Sequence, residues 1–202
     1  MSSPSPAPGR VRLRADAQRN AEEIRQAALQ VFREHGLGTA LEEVARAAGV
    51  SKGTIYHRFG GRTGLIDAVV EDLVAEHIDG VLTAVELIED PVERFEVYLR
   101  TIWLLQFDEP AANDVLLRAQ PESRLLLSLC ERARAFAGQL LTAAQATGDI
   151  RDDFTADDVY SLIWERGVVA RAFDKQFRQD YERRLDFVLH GLRAGSRKIG
   201  LS

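Results

Sequence analysis

The sequence predicts an all-α chain of about nine helices, and three observations carry that prediction. From Asp16 onward, apolar residues recur three and four positions apart. No stretch of four or more residues alternates convincingly between apolar and polar, so no half-buried strand is signalled. The breaks between the periodic stretches are helix punctuation: Gly36 and Gly38, Gly49, Gly60-Gly61, Asp90-Pro91, Pro110, Pro121 and Gly148.

Each element follows from local chemistry. Residues 1–15 read as a disordered arm, Ser/Pro-rich at first and then carrying Arg10, Arg12 and Arg14. That arm is either a solvated leader or a basic strap for a DNA backbone or minor groove. Ile24, Ala27, Ala28, Val31 and Phe32 form one stripe of a first helix, stopped by Gly36 and Gly38. Thr39 to Glu42 has the form of a capping box, with Thr39 as N-cap. A short helix follows through Leu41, Val44, Ala45 and Ala48, and Ser51 caps another over Lys52 to Arg58. A long helix is expected from Arg62 to about Ile88, with Leu65, Ile66, Val69, Leu73 and His77 inward. Asp90 and Pro91 open the next as N-cap and N1, and Asp108-Glu109-Pro110 breaks it. Pro121 is expected to open a helix to about Ala146, and Thr155 to Asp158 to cap one reaching Phe173. The last helix carries Phe177, Tyr181, Leu185, Val188 and Leu192.

Composition narrows the function classes. At 202 residues, with 46% hydrophobic and 28% charged, the chain has the make-up of a soluble globular protein. One cysteine, Cys130, excludes a disulfide framework and a Cys-rich zinc site. The longest uncharged run, Ala135 to Gly148, is too short and too polar to span a bilayer. The N-terminus lacks the apolar stretch of a signal peptide, so a cytoplasmic location is expected and no membrane partner. The net charge of −5 hides an asymmetry. Residues 1–62 hold 10 basic and 6 acidic residues, whereas 63–202 hold 16 and 25. A basic front on an acidic back suggests a DNA-facing segment joined to a domain that does not touch DNA.

The segment from Leu41 to Phe59 reads as a helix-turn-helix. Ala45 is small enough for two helices to cross closely, Gly49 supplies the positive φ of the turn, and Val50 plugs the angle. Val44 and Ile55 complete the inner contact, and Phe59 packs into the three-helix core. The second helix is then free to enter a major groove, about 12 Å wide. Ser51, Lys52, Gly53 and Thr54 face base edges from its N-terminal end, and Tyr56 and His57 reach phosphates one turn later. Arg58 serves either purpose or is solvated. Gly53 weakens the helix, either to permit close approach to DNA or through poor optimisation.

From Arg19 to Ile66 the sequence resembles the DNA-binding domain of TetR-type (TetR/AcrR) bacterial transcriptional regulators. The resemblance rests on Ile24, Ala27-Ala28, Phe32, Gly36, Thr39, Val44-Ala45, Ala48-Gly49-Val50-Ser51, Thr54-Ile55-Tyr56, Phe59 and Leu65. Gly61 and Arg62 stand where the family often has Ser, Thr or Asn and then Lys; Ala40 replaces a frequent Ser or Thr. The resemblance implies a three-helix DNA-binding domain at 16–62 and a helical ligand-binding and dimerisation domain at 63–202. It implies a homodimer, paired through its last two helices, on a palindromic double-stranded DNA operator. The half-sites would lie about one helical turn, roughly 34–36 Å, apart. Thr39, Tyr56, His57 and Arg62 become phosphate candidates, and Lys52, Gly53 and Thr54 base readers.

The resemblance also implies a ligand-responsive regulator, most often a repressor, released by a small lipophilic or aromatic effector. Tyr98, Trp103, Phe107, Cys130, Phe136, Tyr160 and Trp164 are the candidate lining, with Gln106, Arg118 and Arg166 to orient the effector. No enzyme is expected. His35, His57, His77 and His190 lack metal-ligand spacing, and there is neither a Gly-rich phosphate loop nor a Ser-His-Asp signature. No cofactor or metal is called for. The alternative, an all-α carrier or enzyme without a DNA role, is disfavoured by the intact Thr39, Gly49, Tyr56 and Arg62.

Overall fold

The computed structural model describes residues 8–117, 123–172 and 175–195, with side chains for all of these except 8–15, 71, 73–79 and 175. The described residues form α1 (Pro8–His35), α2 (Leu41–Ala47), α3 (Lys52–Phe59), α4 (Arg62–Glu86), α5 (Pro91–Asp108), α6 (Pro110–Leu116), α7 (Arg124–Gln145), α8 (Ala156–Ala172) and α9 (Arg178–Leu192). A 3₁₀ turn at Lys175–Phe177 precedes α9. Among the described residues the extended structure is one isolated bridge between Ile150 and Arg193.

The capping chemistry explains most of these boundaries. The Ser51 hydroxyl accepts from the Thr54 amide at 3.1 Å and starts α3. Asp90 accepts from the Glu93 amide at 2.7 Å, with Pro91 at the first helical position of α5. Thr155 and Asp158 satisfy each other reciprocally at the start of α8, Asp158 accepting at 2.8 Å and Thr155 at 3.2 Å. The Asp158 carboxylate is held below its ordinary pKa chiefly by the Thr155 hydroxyl.

Three expectations need correction. The first helix begins at Pro8, so residues 8–15 continue α1 instead of forming an irregular arm; residues 1–7 lie outside the described residues. Thr39 is not an N-cap. The helix starts one residue later, with Ala40 at the cap and no side-chain cap bond, and the Thr39 hydroxyl donates to the Gly36 carbonyl at 2.8 Å. Pro110 does not only break a helix. It occupies the first position of α6, because a proline lacks only an amide that needs no helical partner there. Ser123 caps α7 by accepting from Leu126 at 3.1 Å; Pro121, expected to open that helix, lies outside the described residues.

Two apolar cores result. The first gathers Ile24, Phe32, Leu37, Val44, Ile55, Leu65 and Ile66, and continues into Val70 on α4, Ala111 and Val115 on α6 and Leu126 on α7. The apolar interior of α1 to α3 is therefore continuous with residues of α4, α6 and α7. The second core joins Phe95, Leu99, Trp103 and Phe107 of α5 to Leu140 of α7, Val159 and Ile163 of α8, and Tyr181, Leu185 and Leu192 of α9. Phe107 stacks on Tyr181, with centroids 4.8 Å apart. Helix α5 is thus the spine against which α4, α6, α7, α8 and α9 pack.

Candidate nucleic-acid interface and effector cavity

The α2–α3 unit has the geometry its sequence foretells. Gly49 sits at φ 65°, where a Cβ would be strained, and the following Val50 amide donates to the Ala45 carbonyl at 2.9 Å. Val44 and Ile55 are fully buried and Ala45 nearly so, which locks the two short helices together. Locking that face leaves the opposite face of α3 in solvent. Ser51, Lys52, Gly53, Tyr56, His57 and Arg58 are exposed, and Thr54 is half-buried. Tyr56 is 54% exposed although its ring edge lies against Gly61.

Hydrogen bonds sort these candidates. Ser51 serves first as the α3 cap, and its hydroxyl also lies 2.9 Å from that of Thr54. Lys52 pairs across the turn with Glu42 on α2. The hydrogen bond holds the carboxyl below and the ammonium above their ordinary pKa values, so both stay charged around neutrality. Gly53 faces open space: a Cβ would meet only the Ser51 hydroxyl, at 3.6 Å. The fold therefore makes no demand for glycine at that position.

Thr39 and Arg62 are not set like the rest. Thr39 is 8% exposed and its hydroxyl is committed to Gly36. The Arg62 guanidinium turns inward, donating to the Thr39 carbonyl at 2.6 Å and to the Leu37 carbonyl. Both residues thus hold the α1–α2 loop in shape. The same loop is gripped from the C-terminal half by Asp114 on α6, which accepts from the Leu37 amide at 2.6 Å. Asp114 is 6% exposed and its other oxygen accepts from Arg171, near the end of α8. A buried carboxylate thereby ties the head to α6 and α8. Sequence reading missed Asp114, because nothing in its local pattern signals a partner 77 positions away.

The expected effector lining divides. A cavity between α5, α7 and α8 is lined by Tyr98, Leu116, Cys130, Ala137, Val159 and Ile163 inside and by Arg134, Tyr160 and Ala156 towards its rim. Its free volume is about 30 Å³, room for a water or two. Tyr98, Cys130 and Tyr160 line it. Trp103 and Phe107 do not: they fill the second core. Phe136 lies behind Tyr98, edge-on at 5.6 Å, and Trp164 is 49% exposed on the surface. The reason is common to all four: an aromatic on a helix of a bundle faces whichever neighbour the helix's rotation supplies, which spacing alone does not specify. Gln106 belongs to a separate buried network, donating to Asn113 at 3.2 Å and to the Ile163 carbonyl at 3.0 Å. Arg166 does not line the cavity, and Arg118 lies outside the described residues. Arg134, which sequence reading overlooked, does.

Among the described residues, no group of three or more His, Cys, Asp or Glu is placed to hold a metal ion, and no helix is long and apolar enough to cross a membrane.

Comparison with known proteins gives the same picture. The pattern of bacterial regulatory proteins of the tetR family matches residues 24–69. That of the SbtR-like transcriptional regulator C-terminal domain matches residues 90–194, more than half of the chain. The regulatory protein RaaS of Mycobacterium tuberculosis is 40% identical over 86 residues, 43% of this chain but only 36% of RaaS. The TetR regulator SCO0520 of Streptomyces coelicolor is 31% identical, with a TM-score of 0.52 over 86% of this chain and 98% of that one. AibR, solved with isovaleryl coenzyme A and operator DNA, shares the fold at 22% identity, with a TM-score of 0.65 over 86% and 97% of the chains. An exposed second helix on a head of this build, joined to a matched sensor half, makes this chain a member of the TetR family of bacterial transcriptional regulators.

Proposed function

We propose that the chain acts in the cytoplasm as a homodimeric repressor that binds a palindromic operator and lets go when a small molecule enters its sensor half. The observation that carries this is the solvent face of α3. Lys52, Gly53, Thr54, Tyr56 and His57 share one short helix whose other side is anchored by buried Ile55. Lys52, Gly53 and Thr54, at the N-terminal end, are the base readers, and Tyr56 and His57 touch phosphate. Arg62 and Thr39 act by holding the α1–α2 loop.

The dimer reading is supported by apolar surface on α8 and α9. Trp164 and Val168, one turn apart on α8, are 49% and 44% exposed, and Phe187 on α9 is 64% exposed. Two such helices from each copy form a four-helix interface that removes this surface from water. The effector reading is supported by the cavity against α8. That helix also carries Arg171 to the Asp114 tie, so a ligand that shifts α8 alters the grip on the head. An effector that weakens DNA binding must itself bind the DNA-bound form more weakly.

The test is selection from a random duplex DNA pool with the purified chain at physiological salt. Recovery of a palindrome with half-sites one helical turn apart is the expected result. A folded chain that retains no motif overturns the reading in favour of a helical carrier or enzyme without DNA function.

A further inference from the structure

The cavity between α7 and α8 offers a ligand only a few polar atoms, and their character restricts what it accepts. Tyr98 is 2% exposed, and its hydroxyl has no hydrogen-bond partner among the described residues. Burial pushes that hydroxyl up to about 12, so it remains a donor throughout the physiological range. The Cys130 thiol is committed to the Val115 carbonyl at 3.2 Å. The remaining wall is aliphatic: Leu116, Ala137, Val159 and Ile163.

The rim is held by Arg134. Its guanidinium lies 5.2 Å from the centre of the Tyr160 ring and pairs with Asp157 at the start of α8. Asp157 is 79% exposed and Arg134 44%. A surface ion pair of this kind holds its partners weakly, so another carboxylate can take its place at little cost. Stacking on Tyr160 keeps the cation at the mouth while partners exchange. The free space of about 30 Å³ is far below the volume of an organic acid, so a ligand enters only as the walls part.

Resting on the effector reading above, we propose that this cavity takes a small apolar carboxylic acid, its carboxylate replacing Asp157 on Arg134 and an inner ether or carbonyl oxygen accepting from Tyr98. An amine is disfavoured, because its charge would meet Arg134. A neutral ester forgoes the ion pair.

Titration calorimetry on the full chain without DNA tests this with four probes. These are 4-methoxyphenylacetate, its methyl ester, unsubstituted phenylacetate and 4-methoxyphenethylamine. The expected order places the methoxy acid about threefold tighter than its ester and about fivefold tighter than phenylacetate, with no measurable amine binding. Arg134→Gln should bring acid and ester to the same affinity. Tyr98→Phe keeps the ring against Phe136, and should remove the methoxy advantage while leaving the acid-to-ester ratio intact. Acid and ester that bind alike, with Arg134→Gln without effect, overturn the proposal. So does the absence of binding by any probe to a chain that unfolds cooperatively. Selective acid binding that leaves retention of the selected DNA unchanged supports the site and sinks effector-driven release, so the two failures are distinguishable.

Discussion

Two glycines, alike in sequence, stand in opposite situations. Gly167 on α8 leaves no room for a side chain: a Cβ would lie 2.4 Å from the Gln106 amide nitrogen and 2.5 Å from the Asn113 oxygen. Asn113 donates to the Gly167 carbonyl at 2.9 Å, so α5, α6 and α8 meet there in one polar knot. Gly167→Ala should lower stability by about 1–3 kcal/mol, read as a fall in the denaturation midpoint. Gly53 has open space around it. Gly53→Ala should stabilise the free protein by about 0.5–1 kcal/mol while weakening or redirecting operator binding. If both stability and DNA affinity rise, the close-approach account of Gly53 fails. Neither situation is legible locally, since what surrounds a glycine is set by elements distant in sequence.

Among the elements, α2 and α3 were the most legible, because their contacts lie within a few turns of one another. Ser51, Gly49, Val44 and Ile55 do what their types and spacing predict. The α1–α2 loop was the least legible. Its capping box has the right residues, yet Thr39 turns to Gly36 because Arg62 and Asp114 pull that loop into another shape. Glu42 is released from capping and pairs with Lys52. In the proposed docking, that pair occupies a cation at the end of α3 that meets DNA and sets a carboxylate near the phosphates. Glu42→Gln should therefore raise DNA affinity and steepen its salt dependence by about one phosphate contact. A filter-binding salt series measures both, and an unchanged slope would place Lys52 away from DNA.

For the whole molecule, the proposed dimer contact and the proposed effector cavity meet on α8. Its outer side carries Trp164 and Val168, its inner side Val159 and Ile163, and its last turn Arg171. Phe187→Glu should shift sedimentation from dimer to single chain and weaken operator binding, since one reading head keeps only half of the site. Buried tyrosines give the molecule an alkaline limit. Burial raises the Tyr98 and Tyr181 hydroxyls from 10.0 to about 12. A raised folded-state pKa adds stability that is fully present below pH 10 and lost as pH rises towards about 12. The melting temperature should fall across that window, and Tyr98→Phe should shallow the fall.

The sequence by itself determined the helical class, most helix boundaries and the reading head, because apolar periodicity, caps and a positive-φ turn act over a few residues. It also supplied the family through the pattern in that head. Only the tertiary structure decided which aromatics bound a cavity, that Arg134 lines it, and that Asp114 ties the α1–α2 loop to α8 through Leu37 and Arg171. Those outcomes depend on the rotation of each helix about its axis and on pairs many turns apart. Such geometry is settled by the packing of the whole bundle, which no local pattern encodes.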